Sequence, residues 1–159
     1  MHKMSNPAKN KGSGYERKIA EYLTSMVGKE FKKCPGSGAI GTISGIPGLQ
    51  GDVIRADLKE IPYIECKKYK DFRFENFLLQ QGDEWNWVKQ TLGNLTKQAG
   101  RNWCIIFQKD YGRHHWCLTN IPIESIPHFE LVAGLGQRYV LTTLEVALRD
   151  PKFKERFNG

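Results

Sequence analysis

Three side chains carry the chemistry this sequence offers: Asp52 in Gly51-Asp52-Val53-Ile54, and Glu65 and Lys67 in Tyr63-Ile64-Glu65-Cys66-Lys67. Side chains alternate across a strand, so Glu65 and Lys67 project together while Ile64 and Cys66 point to the other face. An acid and an amine on one face, with a second acid on the preceding strand, make a compact polar cluster on an otherwise apolar sheet. Two such carboxylates suit Mg²⁺, a hard cation that prefers oxygen ligands. The ammonium can orient a water or neutralise charge developing on a phosphate, so the chemistry on offer is metal-dependent phosphodiester hydrolysis. The competing reading is a half-exposed strand with alternating surface charge.

Such a cluster needs elements to hold it, and the hydrophobic pattern supplies them. Residues 1–12 read as a flexible basic arm without periodicity. A helix is expected from Ser13 to about Val27, with Ile19, Tyr22, Leu23, Met26 and Val27 as its buried stripe. Residues 28–50 read as a connecting stretch that runs into a Gly-rich loop. Strands are expected at about 52–58 and 62–68. An aromatic segment from Phe72 to Leu79 leads into a helix at about 83–99, with Trp85, Val88, Leu92 and Leu95 on its apolar side and Trp87 slightly off it. The nearly unbroken apolar run at 103–108 predicts a central strand covered on both faces, with His115–Thr119 beside it. A helix at about 142–149 and a charged tail from Lys152 to Arg156 follow. This order is an α/β or α+β domain spanning 13–159, a small mixed sheet flanked by helices.

With 159 residues the chain is long enough for one domain with a proper core. No apolar run approaches the roughly 18 residues that span a bilayer. The N-terminal stretch lacks the apolar region of a secretory signal, so a cytoplasmic location is expected. A net charge of +7 points to a polyanionic partner such as nucleic acid. The basic residues gather usefully: Lys3, Lys9 and Lys11 in the arm, Lys32 and Lys33 before the Gly-rich loop, and Lys68 and Lys70 beside Lys67. Cys34, Cys66, Cys104 and Cys117 form no C-x-x-C pair and read as thiols, and with His114, His115 or His128 they match no zinc-site spacing.

Glu16 admits two readings. Ser13-Gly14-Tyr15-Glu16 fits a capping box, in which Glu16 reaches back to the Ser13 backbone. Alternatively Glu16 is a third carboxylate of the metal site. Arg17 is either an exposed first-turn residue or the partner of a phosphate. The side chain of Cys66 packs as a small hydrophobe, while its backbone carbonyl is available as a further oxygen ligand for the metal.

Lys11-Gly12 with Glu16-Arg17, the loop Pro35-Gly36-Ser37-Gly38-Ala39, Gly51-Asp52-Val53 and Glu65-Cys66-Lys67 together resemble the PD-(D/E)xK nuclease superfamily. Within it they look most like the archaeal-type Holliday junction resolvases, including virus-encoded forms. The resemblance runs from about residue 11 to the 83–99 helix, and residues 120–159 carry none of its motifs. It implies a restriction-endonuclease-like core, with Asp52 and Glu65 as metal-binding acids, Lys67 as the catalytic lysine, Glu16 as the acid of the first helix and Arg17 as the basic residue after it. Ser37 falls where the family has a serine in a mobile loop that touches the scissile strand. Gly51 stands where the superfamily name has a proline, read as a tolerated difference, and the stretch from Gly38 to Asp52 is long for a resolvase.

The implied cofactor is Mg²⁺, with Mn²⁺ as a substitute, and the implied products carry a 5′ phosphate. The implied substrate is branched DNA, a four-way junction, and no membrane is involved. Lys9, Lys11, Arg17, Ser37, Lys68 and Lys70 are the expected DNA contacts, with little sequence preference. A two-fold junction cut on two strands calls for a homodimer, for which Trp85, Trp87 and the Phe72–Leu79 segment are either interface or core. A virus-encoded enzyme would work in the host cytoplasm. Two further readings stand beside the resolvase: another PD-(D/E)xK nuclease with a sequence or flap preference, and a catalytically silent DNA-binding module, against which the intact Asp52, Glu65 and Lys67 weigh.

Overall fold

The computed structural model describes residues 7–38 and 45–159; the start of the expected arm, residues 1–6, and the middle of the Gly-rich loop, residues 39–44, lie outside the described residues. In chain order the elements are α1 (Pro7–Val27), β1 (Phe31–Lys33), β2 (Val53–Arg55), β3 (Tyr63–Tyr69), α2 (Glu75–Leu79), α3 (Gly82–Asn94), β4 (Trp103–Lys109), β5 (Trp116–Thr119), β6 (Phe129–Val132), β7 (Arg138–Thr143), α4 (Leu144–Ala147) and α5 (Pro151–Glu155). Short 3-10 turns lie at Pro35–Gly38, Pro47–Leu49 and Gly134–Gly136. This is an α+β fold with the layout of a restriction-endonuclease-like core.

The main sheet has the order β3-β4-β5-β7-β6, and β1 and β2 form a separate antiparallel ribbon. β3 and β4 run parallel, joined by the crossover through α2 and α3, and the remaining neighbours are antiparallel. β4 is buried from Trp103 to Gln108, as its apolar run predicts, because both faces are covered. Its Cys104 and Ile106 pack under α1 with Tyr15, Ile19, Ala20 and Leu23. Trp103, Ile105 and Phe107 face α3, with Trp87, Val88 and Leu95. No helix among the described residues is long and apolar enough to cross a membrane.

Several sequence expectations shift. α1 starts at Pro7 and not at Ser13, so residues 7–12 are helical. Ser13 therefore lies inside the helix and the capping box does not form. The buried stripe is Tyr15, Ile19, Ala20 and Leu23, while Tyr22 and Val27 are half-buried and Met26 is exposed. α3 ends at Asn94 and turns Trp87, Val88 and Thr91 inward, with Trp85 only half-buried. Phe72, Phe77 and Trp87 are thus core residues and not interface residues. From the same aromatic segment Leu78 and Leu79 remain exposed.

The C-terminal quarter differs most. β6 and β7 complete the sheet, and the expected 142–149 helix shortens to α4, capped by the Thr143 hydroxyl, which accepts from the Val146 N–H at 3.2 Å. The charged tail is α5. Asp150 caps it by accepting from the Lys152 and Phe153 N–H groups at 2.9 and 3.2 Å, and Pro151 opens it. Phe153 and Phe157 are completely buried against one another. Periodicity hid this helix because only Phe153 of its five residues is buried.

We expect Phe157→Ala to destabilise the fold by about 3–5 kcal/mol, the usual loss for truncating a buried phenylalanine. Urea unfolding monitored by circular dichroism measures it; a loss under about 1 kcal/mol would mean that the tail is not part of the core.

Candidate active site

The site is built at the free edge of β3. Asp52 stands just before β2, and its N–H donates to the Ile64 carbonyl at 2.7 Å. Its own carbonyl accepts from the Cys34 N–H at 2.8 Å. The carboxylate turns back to the same edge, where Oδ2 accepts from the Cys66 N–H at 2.8 Å. The N–H and C=O of one strand residue leave on the same side, so the Cys66 carbonyl emerges at this edge as well.

Gly51 makes that approach possible. Its φ is +92°, and a Cβ there would stand 2.9 Å from the Ile64 carbonyl oxygen. Proline, fixed near −65°, cannot adopt this backbone. The glycine in place of the superfamily's proline is therefore a requirement of this chain's geometry and not a neutral exchange.

Glu65 and Lys67 share a face, as strand alternation predicts. Glu65 is buried, and its Oε2 accepts from the Tyr63 hydroxyl at 2.9 Å, which in turn accepts from Asn94 Nδ2 at 3.0 Å. Lys67 Nζ lies 3.5 Å from Glu65 Oε1 and donates to Gln90 Oε1 at 3.2 Å. Ile64 and Cys66 face α1. The Cys66 thiol is held well above its ordinary pKa by burial and then by the Asp52 charge, so it stays protonated and inert.

Glu16 joins the cluster from α1. It is buried, its Oε2 accepts no hydrogen bond, and Lys33 Nζ stands 3.8 Å from that oxygen. Burial raises its pKa, opposed by Lys33 and reinforced by Glu65. Asp52 is pushed up to about 8, first by burial and then by the charge on Glu65, with the Cys66 N–H working the other way and Glu16 adding to the rise. Glu16, Asp52, Glu65 and Lys67 thus lie close enough to feel one another's charge.

No three His, Cys, Asp or Glu side chains among the described residues are grouped to hold a metal ion. The donor set nevertheless fits a hard divalent cation. It offers carboxylate oxygens, an Asp52 carboxyl whose pKa is raised to about 8 by burial and then by the Glu65 charge, and a buried Glu16 oxygen without a donor. Asp52, Glu65, Glu16 and the Cys66 carbonyl are the groups that would hold it.

The expected DNA contacts are spread around this point. Arg17 and Lys70 are exposed, Lys68 is half-buried with its ammonium 5.8 Å from the Tyr15 ring centroid, and Lys11 pairs with Asp110 at 2.5 Å. The side chains of Lys9 and Ser37 lie outside the described residues, although both backbones are helical. Lys33, Tyr63, Gln90 and Asn94 belong to the site and were not singled out from the sequence for these roles. Only Tyr63 had a readable signal, since it shares the face of Glu65 two residues away.

A family model described as "Phage putative PDDEXK endonuclease" matches residues 7–146, a span that includes Glu16, Asp52, Glu65 and Lys67. No curated protein and no solved structure matches the chain.

The raised pKa of Asp52 has a consequence for stability. In the folded protein it holds its proton to about 8, against an ordinary value of 3.8. Between those values the folded state binds the extra proton, so without divalent ions stability falls as pH rises through this window. Asp52→Asn removes that dependence and keeps an acceptor for the Cys66 N–H. The stability gained over wild type in EDTA should grow from about pH 4 to about pH 8. Urea titrations at several pH values measure this, and a gain that does not vary with pH would contradict it.

Proposed function

The chain belongs to the family described as "Phage putative PDDEXK endonuclease", and from that premise we propose that it is a structure-selective DNA endonuclease that resolves four-way junctions by paired phosphodiester hydrolysis. The observation that supports the reading is that Glu65 and Lys67 share one face of β3, that the Asp52 carboxylate docks on the Cys66 N–H of the same strand, and that Glu16 feels the charges of Glu65 and Lys67. PD-(D/E)xK nucleases are generally dependent on divalent metals. A cation held by Asp52 and Glu65, with Glu16 and the Cys66 carbonyl in support, supplies Lewis-acid polarisation of the scissile phosphate and a more acidic water; we take it to be Mg²⁺, with Mn²⁺ as a substitute.

The chain's own residues do the rest. Glu65 and Gln90 hold the Lys67 ammonium from two sides, which fixes it where it can orient the attacking water or neutralise charge on the phosphate. Tyr63, itself held by Asn94, fixes the second oxygen of Glu65. Arg17, Lys68 and Lys70, with Lys9 and Lys11 on the first turns of α1, serve the phosphates on either side, and Ser37 is assigned to the scissile strand. If the protein is virus-encoded, it works in the host cytoplasm.

Cutting a two-fold junction on two strands calls for two sites related by the same axis, hence a homodimer. β6 is an edge strand, and Phe129 and Val132 on it are exposed beside Leu78. Edge strands with exposed apolar side chains are pairing surfaces. Pairing β6 with its copy would leave the two β3 edges on the order of 40 Å apart at about 4.8 Å per strand.

A four-way junction, a flap and a plain duplex of matched sequence, each offered with Mg²⁺, test the substrate. We expect paired nicks in the junction, and intact junction binding without cleavage by Asp52→Asn. Preferential cutting of the duplex at one sequence would replace the resolvase reading with a restriction-like one. For the dimer, light scattering should give twice the chain mass for wild type and the single mass for Val132→Lys; a monomeric wild type removes the β6 pairing.

A further inference from the structure

A second surface lies past the end of β3. The Lys109–Gly112 turn joins β4 towards β5 and closes with the Gly112 N–H donating to the Lys109 carbonyl at 2.9 Å. It is held from three further sides. The Asp110 N–H donates to the Tyr69 carbonyl at 2.8 Å, Gln108 Nε2 donates to the Gly112 carbonyl at 3.0 Å, and Lys11 of α1 pairs with the Asp110 carboxylate at 2.5 Å.

Tyr111 is the anomaly in this rigid turn. Its φ is +59°, at the second central position, which type II turns reserve for glycine or asparagine. A bulky residue in the left-handed region is strained. A glycine is one residue away, at Gly112, so the chain has the right residue type in the wrong register. Tyr111 is also 103 % exposed, so its ring packs on nothing in the protein. Leu58 and Gln80 share a positive φ, but Leu58 is only 43 % exposed and Gln80 is the left-handed cap that ends α2.

The surroundings are basic. Lys11, Lys18, Lys68 and Gln108 line an open groove with Tyr111, and the groove's acid, Asp110, is neutralised by Lys11. Lys11 and Lys18 lie on one face of α1 with Tyr15 between them, and the Lys68 ammonium stands over the Tyr15 ring. Glu16 and Lys67 are the chain neighbours of Tyr15 and Lys68, so the groove adjoins the catalytic edge. Lys109 and Arg113 flank the turn.

A bare aromatic ring, carried on a pinned turn at the end of a basic groove, suits the face of an unpaired base. We propose that Tyr111 is the stacking platform for an unpaired base of the DNA substrate, and that Lys18 and Lys68 of the groove seat the phosphates beside it. This rests on the endonuclease reading and deepens it, since paired bases hide their faces and only opened or branched DNA offers one. Stacking of this kind is tolerant of sequence. From Glu65 to Tyr69 the strand rises about 13 Å, which is about four steps of a DNA strand at 3.4 Å each. The bound base is therefore a few nucleotides from the bond to be cut.

The test uses the full chain in EDTA and a duplex bearing one unpaired 2-aminopurine, against the same duplex fully paired. Wild type should bind the unpaired form more tightly and quench its fluorescence. Tyr111→Phe should keep both effects. Tyr111→Gly, which relieves the backbone strain, should raise the thermal midpoint yet weaken binding of the unpaired form by roughly 5- to 150-fold. It should leave the fully paired duplex within about two-fold of wild type. If wild type prefers the unpaired form but Tyr111→Gly binds and quenches as wild type does, the platform is elsewhere and the endonuclease reading stands. If wild type binds the two duplexes equally, the base-stacking proposal falls alone. If wild type binds neither at low salt, the DNA-directed reading falls with it.

Discussion

The structure depends on Asp52 being docked edge-on against β3. Two hydrogen bonds do this, from the Asp52 N–H to the Ile64 carbonyl and from the Cys66 N–H back to the Asp52 carboxylate. They satisfy backbone groups that an edge strand would otherwise present to solvent, and they bring an acid from one sheet to the acid and amine of another. The approach is so close that residue 51 can carry no side chain. Everything else in the site is arranged around this contact. α1 brings Glu16 from one side, α3 brings Gln90 and Asn94 from the other, and the β1–β2 ribbon supplies Lys33.

Such a cluster opposes folding. Burying carboxylates beside one another raises the pKa of Asp52 and Glu16, and a buried Glu16 oxygen is left without a donor. A fold selected only for stability would fill this edge with apolar side chains. Its persistence among Ile64, Val53 and Ile19 is what a site that must concentrate charge in a low-dielectric setting looks like. Lys67 and Lys33 offset part of the repulsion, and a divalent cation is the natural remainder.

The sequence was legible where one physical rule dominated. Alternation in β3 gave the shared face of Glu65 and Lys67, and an unbroken apolar run gave the burial of β4. Glu16 was ambiguous because a capping box and a metal acid use the same residue. The structure removes the first option, because Ser13 lies inside α1 and caps nothing. Lys33, Gln90 and Asn94 were illegible as site residues, because only tertiary packing brings them to β3. β6 and α5 were missed because each turns few residues inward, and a half-exposed four-residue strand has too little pattern to read.

The C-terminal residues carry no nuclease motif, and the family match ends at residue 146, before α5. They are nevertheless coupled to the catalytic edge. The buried guanidinium of Arg55, the last residue of β2, donates to the backbone carbonyl of Asn158 and to Asp57 Oδ2 at 2.5 Å. Phe153 and Phe157, packed in the same core as Val53 and Ile64, fix where that carbonyl sits. The far end of the chain thus braces the strand that carries Asp52, and the Asp150 cap sets the direction from which α5 does so. A core nuclease motif can end early in sequence while its geometry does not. A carboxylate docked by two hydrogen bonds at an open edge keeps its position only as well as the strand behind it is held, and in this chain that strand is held by the last helix.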